Sequence, residues 1–301
     1  MSTDLSASFN EQYMNINSKL KKRFMRKPNI TEATNEFIAL AIQCEHSEQP
    51  AFAAQAYVGA AKCEAAAGNF LGEAEHYVTA ARHYMKAEKK LASLKFYSLD
   101  RENVEAAIGC FMLALVKYPA KSIIRTSILM ELANELAFLN HKLEAISYYE
   151  QALQSISEDS MKLTCMKTLL NLQIDCGNLD VALETANAIC DSKMVIPEDI
   201  LSEVQVSRIL LMLLVEPLEV NKPESLKHLI SVLLNDCDSD FTPFSTDLKL
   251  KLQSILIATA NNDVSSLLRL TADTNNLLTS HQVDLLVRLN REVSGTYFNI
   301  A

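Results

Sequence analysis

The sequence lacks tryptophan and is poor in glycine and proline, with 6 Gly and 7 Pro among 301 residues. A β-rich or doubly wound fold of this length needs more turn glycines and more Val- and Ile-rich runs. The chain is instead rich in Ala, Leu, Asn, Ser, Glu and Lys, and its 49% of hydrophobic residues suffices for a substantial core. The composition therefore predicts an all-α protein.

The motifs of common enzyme sites are missing as well. The sequence contains no GxGxxG, GxxxxGK[ST] or GxSxG pattern, and no HExxH or CxxC. Such patterns supply phosphate loops, activated nucleophiles and zinc sites. His76 and His83 are seven residues apart and could share a helix face, but two residues do not make a metal site. We therefore expect a protein that is not an enzyme, with no cofactor and no metal.

Seven cysteines are scattered through the chain, and most stand in apolar, helix-periodic settings. Their odd number and wide spacing indicate reduced, buried thiols rather than a disulfide framework. The N-terminus has no basic segment followed by an apolar one, so no signal peptide is predicted. The longest apolar run, residues 209–215, is far shorter than the ~18–20 residues that span a bilayer. These features predict a soluble cytoplasmic protein.

A small–large–small trio of residues recurs at helical spacing i, i+4, i+7. It repeats at offsets of 38 and 37 residues, with a weaker copy 33 residues before the first. The trios are Ala107, Phe111 and Ala114; Ala145, Tyr149 and Ala152; Ala182, Ala186 and Ile189; and, more weakly, Ala74, Val78 and Ala81. Such a recurring face indicates helices that pack closely against their neighbours, unit after unit. We predict an α-solenoid of antiparallel helical hairpins.

The net charge of −9 is unevenly distributed, because six cations lie within nine positions near the N-terminus. They are Lys19, Lys21, Lys22, Arg23, Arg26 and Lys27. The rest of the chain holds 22 basic against 37 acidic residues. Residues 5–27 read as one amphipathic helix that ends at Pro28, because proline disfavours helical geometry at the preceding residue. Its apolar stripe is Phe9, Tyr13, Ile16, Leu20 and Phe24.

Three interpretations of this basic helix remain open. Its apolar stripe could dock on the solenoid while the charges are merely solvated, or the charges could bind an acidic protein surface. The third is an anionic membrane surface or nucleic acid. Nucleic acid is the least favoured partner, because the other basic residues form no second patch.

The chain divides into three predicted parts: a basic N-terminal helix (residues 1–28), helical repeats (29–191) and Leu-rich C-terminal helices (198–293). Pro197 lies in the short link before the third part. An acidic run with Asp236, Asp238 and Asp240 lacks the glycine and the final Glu of an EF-hand, so calcium is not predicted. The run is either a polar loop or an acidic contact for a basic partner.

The hairpin repeat resembles the tetratricopeptide class. Pro119 follows the first trio where that motif has proline, and Gly177 and Leu179 match its turn and second helix. Ala182 and Ala186 extend this match, while Leu129, Leu132 and Ala133 match its first helix in the unit of Ala145. This resemblance concerns the fold rather than a function.

Three further blocks, residues 18–30, 206–211 and 252–259, resemble the family of 40-kDa huntingtin-associated proteins, also called factor VIII intron 22 proteins. The blocks occur in the same order as in the family, and the resemblance spans about residues 10–292. The vertebrate members carry a long Pro-rich insertion, whose place here is taken by about residues 191–197. The chain therefore resembles a compact, invertebrate-type member.

The resemblance implies a non-catalytic partner of huntingtin, held between the helical-repeat domains of that large protein and stabilising them. It also implies a link to early endosomes through a Rab-type GTPase, and a nuclear pool beside the cytoplasmic one. The partner-binding residues expected from the charges are the six N-terminal cations with Asp236, Asp238 and Asp240. An alternative function is a membrane-trafficking adaptor that resembles the soluble attachment proteins of the fusion machinery and acts without huntingtin.

Overall fold

The computed structural model describes residues 2–21, 29–96, 100–216, 218, 222–235 and 242–298. These residues form fourteen α-helices and no strand, and 81% of them are helical, which confirms the all-α prediction. The helices are α1 (Ser2–Leu20), α2 (Ile30–His46), α3 (Pro50–Ala67), α4 (Phe70–Ser93), α5 (Glu102–Leu115), α6 (Ile123–Phe138), α7 (Lys142–Leu153), α8 (Asp159–Asp175), α9 (Leu179–Cys190), α10 (Glu198–Val215), α11 (Glu224–Leu234), α12 (Thr246–Ala260), α13 (Val264–Thr274) and α14 (Ser280–Phe298).

The helices belong to two compact units, Met1–Ser155 with α1 to α7 and Ile156–Ala301 with α8 to α14. Within each unit, helices that follow one another in sequence pack against one another, as the α-solenoid prediction requires. The assignment of the repeats to the tetratricopeptide class stays a prediction, as does the three-part division of the chain.

The predicted trios form the centre of the helix–helix contacts. Ala107, Phe111 and Ala114 of α5 have no exposed surface. The trios of α7 and α9 are at most 1% exposed, and the weaker copy in α4 is buried as well. Alanine at the outer positions of a trio lets a neighbouring helix approach closely, and the large residue between them fills the remaining space. The prediction that this face is the packing face is confirmed.

Polar contacts between next-nearest helices define the direction of the chain in the first unit. His83 of α4 lies 3.1 Å from a carboxylate oxygen of Glu45 near the end of α2, and Lys90 lies 3.6 Å from the carboxylate of Glu48 just beyond that helix. On its other side α4 pairs with α6: Arg82 binds Glu131 through two hydrogen bonds of 2.6 and 2.8 Å. Lys89 lies 2.5 Å from Glu135.

In the contacts between α2 and α4, and in those between α4 and α6, a higher residue number on one helix goes with a higher number on the other. Helices α2, α4 and α6 therefore run parallel. The intervening helices run in the opposite direction, because short turns join them to their neighbours. The first unit is therefore built from antiparallel hairpins.

Two turns between helices owe their geometry to glycine. Gly68 and Gly177 both have φ of 78°, in the left-handed region that side chains with a Cβ disfavour. Each follows the end of a helix and is itself followed by an asparagine. Asn69 then accepts a hydrogen bond from the backbone of Gly72 at 3.2 Å and caps α4.

The second unit is organised around α10. Every residue of this helix from Val206 to Met212 is buried, so the helix is covered on all sides. Helices α9, α12 and α14 pack against it. Arg208, in the middle of this buried run, has no exposed side-chain surface and donates from Nε to Asn187 at 2.6 Å and from Nη2 to Ser225 at 2.9 Å. The buried Gln282 of α14 donates to the carbonyl oxygen of Glu203 at 2.8 Å.

The first helix is shorter than predicted. It ends at Leu20 rather than at Lys27, and residues 22–28 lie outside the described part of the chain. Leu20 packs partly against the core of the first unit.

Candidate partner-binding surface

The predicted basic site is only partly described. Lys19, in the last turn of α1, forms an ion pair with Glu36 of α2, and this hydrogen bond raises the pKa of Lys19. Lys21 follows the helix and is exposed. The other predicted partner-binding residues lie outside the described residues, so the structure does not place them: Lys22, Arg23, Arg26, Lys27, Asp236, Asp238 and Asp240.

The apolar stripe of α1 is docked on the first unit. Phe9 and Ile16 are 4% and 6% exposed. The ring of Phe9 stacks on Phe52 with centroids 4.7 Å apart, and Tyr13 contacts Phe37 with centroids 5.2 Å apart. This part of α1 belongs to the core and is not a free amphipathic face. Which partner its cations bind stays a prediction.

A group of exposed apolar side chains lies where three helix ends of the first unit meet. We call this group the apolar edge; it consists of Phe70 and Leu71 at the start of α4, Leu113 and Val116 at the end of α5, and Ile123 and Ile124 at the start of α6. Their exposed fractions range from 48% for Leu113 to 76% for Val116. Single exposed apolar residues are common, but a contiguous group is typical of interaction sites.

Specific contacts hold these helix ends together. The Nζ atom of Lys117 lies 2.8 Å from the buried carboxylate of Glu73 and 5.5 Å from the ring centroid of Phe70. Arg125 of α6 donates from Nη1 to the carbonyl oxygen of Leu115 at 2.5 Å. The start of α4 and the start of α6 therefore both lie against the turn that follows α5.

The turn between α5 and α6 at the apolar edge is basic, whereas Glu64 and Glu75 lie near the start of α4. Residues 106–130 contain Lys117, Lys121 and Arg125 but no acidic residue, although the whole chain has 37 acidic residues. The nearby Glu73 is buried and paired with Lys117. Lys121 is exposed and has no ion pair among the residues that the structure describes. The surface thus combines apolar anchors with cations.

The outward face of α5 also contains an exposed glycine. Gly109 lies in the middle of the helix, where glycine costs roughly 1 kcal/mol relative to alanine. A Cβ atom added here would meet no other atom within 4 Å. By contrast, a Cβ added to Gly59 of α3 would lie 2.7 Å from the ring of Phe37. Helix packing within the chain explains Gly59 but does not explain Gly109.

Sequence reasoning missed the apolar edge. Leu113 and Val116 are out of phase with the trio of the same helix, and Ile123 and Ile124 follow it across Pro119. This excess of apolar residues around a turn was the available signal. The sequence alone could not tell whether other helices cover them.

Buried thiols and histidines are part of the helix packing in the described residues. Burial raises the pKa of the thiols of Cys110, Cys165 and Cys190 to about 11, so they stay protonated and weakly nucleophilic at neutral pH. No group of three or more metal-ligating side chains occurs among the described residues. Tyr57 stacks between His76 and His83, which places these two histidines in the helix packing.

None of the described helices is long and apolar enough to span a bilayer. No protein-family model matches the sequence. The chain is similar to proteins named 40-kDa huntingtin-associated protein from Rattus norvegicus and Mus musculus. Each match is 28% identical over 155 residues, and it covers 50% of this chain and 40% of the relative. The chain thus matches less than half the length of these curated relatives. We identify it as a distant relative of the 40-kDa huntingtin-associated proteins.

Proposed function

We propose that the chain is a non-catalytic scaffold protein that forms a stable complex with huntingtin. The observation that carries the proposal is the similarity to two relatives whose names describe association with huntingtin. A solenoid of helical hairpins with an exposed apolar edge is suited to this function, because it presents a large preformed surface to a partner.

In this complex the chain bridges and stabilises the helical-repeat domains of huntingtin. Apolar anchors such as Phe70, Val116 and Ile123 supply most of the binding free energy once they are desolvated. Cations such as Lys21 and Lys121 set register and association rate rather than affinity. The acidic second unit would meet basic parts of the same partner.

Co-expression of the chain with huntingtin, followed by size-exclusion chromatography, tests the proposal. We expect both proteins in one peak at a fixed stoichiometry that survives dilution. Separate elution of two folded proteins at micromolar concentration would contradict it. Circular dichroism of the separated chain checks that it was helical when it failed to bind.

The finer proposal, a link to early endosomes through a Rab-type GTPase, has only the resemblance of the sequence as support. The alternative adaptor function predicts binding to anionic vesicles without huntingtin. Burial of Phe9 and Ile16 argues against insertion of α1 into lipid, because these side chains already pack in the core. Vesicle flotation with the wild type and a Lys19→Glu/Lys21→Glu variant distinguishes the two: flotation that depends on these cations supports the adaptor.

A further inference from the structure

Helix α1 packs on a face that α2 and α3 form together, and its other side is exposed. We propose that α1 is a reversible lid, and that the face beneath it is a binding site for an amphipathic helix with the residue pattern of α1. Three observations carry this inference: α1 is held through one apolar stripe, its outer side packs on no other described helix, and the seam beneath it contains a gap.

The pattern that the face accepts is given by α1 itself. Its anchors stand at i, i+4, i+7 and i+11 on one side of the helix, and they are Phe9, Tyr13, Ile16 and Leu20. They share one hydrophobic cluster with side chains of α2 and α3, among them Phe37 and Phe52. Lys19, which pairs with Glu36 of α2, adds a cation at i+10. Grooves that bind amphipathic helices recognise anchors at such spacings.

The contacts that hold α1 differ from those of the helices after it. Helix α3 lies between α2 and α4, and alanines such as Ala60 have no exposed surface there. Helix α1 instead has an exposed outer side that includes Asn10 and Met14. Among the described residues, its hydrogen-bonded link to the rest of the unit is the ion pair of Lys19 with Glu36, and exposed ion pairs contribute little to stability. Helix α1 can therefore separate while the other helices stay packed, as segments of low local stability do.

The seam beneath α1 is incompletely filled. A gap of about 30 Å³ lies beside Phe9, between the end of α2 and the start of α3, and it has room for a water molecule. Its lining includes the polar Gln12 and Gln43 and the thiol of Cys44. A seam that can be hydrated separates more readily than a close-packed one. Cys44 is 7% exposed while α1 is in place, so the reactivity of its thiol reports the opening of the lid.

The first experiment measures this opening by thiol labelling of the folded chain, with the labelled cysteines identified by mass spectrometry. We expect Phe9→Asp/Ile16→Asp to raise the labelling rate of Cys44 at least about tenfold, because carboxylates do not remain in an apolar seam. Cys110 of α5, which is 6% exposed, should keep the rate that it has in the wild type, because the rest of the first unit stays folded. Met14→Asp, at an exposed position of the same helix, is the matched control and should leave the labelling rate of Cys44 unchanged.

The second experiment tests whether the uncovered face binds a helix. The probe is a fluorescent peptide with the sequence of residues 2–21, and its control is the same peptide with Phe9→Asp and Ile16→Asp. We expect the probe to bind the doubly substituted chain at least about tenfold more tightly than the wild-type chain, in which the attached α1 competes for the same face. The control peptide lacks two anchors and should bind neither chain. Both experiments use the chain without huntingtin, so their outcome is independent of the function proposed above.

Selective labelling of Cys44 together with preferential binding of the probe supports the lid. If the labelling rate of Cys110 rises by the same factor as that of Cys44, the two substitutions unfold the unit, and α1 is an integral part of it rather than a lid. Equal binding of the probe to both chains, or to neither, would overturn the helix-binding site. Hydrogen exchange of the wild type needs no substitution: amides of α1 should exchange at least about tenfold faster than those of α3, and equal rates would contradict the lid.

Discussion

The two units differ in charge and in how they fill their interiors. Met1–Ser155 holds 17 basic and 17 acidic residues, whereas Ile156–Ala301 holds 11 basic and 20 acidic residues and therefore carries the whole net charge of −9. The first unit packs alanines such as Ala53 and Ala60 at zero exposure. The second relies on large aliphatic residues such as Leu210, together with the buried Arg208.

This difference indicates two ways to stabilise packed helices. Close packing through alanine brings helix backbones together, and it leaves no room for added atoms. Leu-rich packing buries more apolar surface per residue but tolerates a polar group only if that group is satisfied. The first unit should therefore be sensitive to larger residues, and the second to loss of its polar contacts.

The largest effect is expected for Arg208→Ala in the second unit. The change removes hydrogen bonds to Asn187 and Ser225 and the ion pair with Asp191, and it leaves a cavity. We expect the free energy of unfolding of this unit to fall by about 2 to 4 kcal/mol, less than for a fully buried pair because Asp191 is partly exposed and can be hydrated. Hydrogen exchange read by mass spectrometry measures the loss for each unit separately.

Arg101→Ala in the first unit is the matched control. Arg101 also forms two hydrogen bonds to a carboxylate, that of Glu144, at 2.7 and 2.9 Å. Both side chains are at least a third exposed, so the loss should stay below about 1 kcal/mol. Equal losses of unfolding free energy for Arg208→Ala and Arg101→Ala would show that burial of the arginine does not determine its contribution to stability.

A larger side chain in the alanine-packed core should destabilise the first unit. Ala60→Leu in α3 adds three carbon atoms at a position with no exposed surface. We expect a loss of about 1 to 3 kcal/mol, because the helices that pack there must separate or adopt strained rotamers. Thermal unfolding followed by circular dichroism measures it. Ala67→Leu, at the exposed end of the same helix, should change the melting temperature little.

The parts of the structure that depend on local pattern could be predicted from the sequence. Ala107, Phe111 and Ala114 repeat at helical spacing, and Gly68 and Gly177 mark turns whose geometry glycine favours, so the helices and their packing faces followed directly. The end of α1 at Leu20 did not follow, because the apolar pattern continues in the sequence from Leu20 to Phe24.

Features that depend on tertiary contacts could not be read in this way. Arg208 would be expected at the surface, and its partners Asn187 and Ser225 lie 21 and 17 residues away in sequence. The apolar edge is likewise formed by three helix ends that the fold brings together. The sequence alone does not show that no other described helix covers Val116. Seven of the predicted partner-binding residues lie outside the described residues, so their roles stay predictions.

The smallest expected effect is a pH dependence of stability. It should occur in the first unit only, because it arises from His83 of α4. Burial lowers the pKa of His83, and Lys86 lowers it further, while Glu45, at 3.1 Å, partly opposes this effect. The Tyr57 ring covers the imidazole with centroids 5.4 Å apart. Because the unfolded chain binds a proton more readily than the folded one, stability conferred by neutral His83 is present above the unfolded pKa of about 6.5 and is lost as pH falls below it.

Hydrogen exchange at pH 7.5 and pH 5.5 measures this dependence for each unit. We expect His83→Gln to reduce the loss of stability between the two values in the first unit and to leave the second unit unchanged. The glutamine keeps a side chain that can face Glu45 but does not titrate. An unchanged pH dependence in the variant would mean that the contact with Glu45 compensates for burial, so that protonation of His83 is not linked to folding.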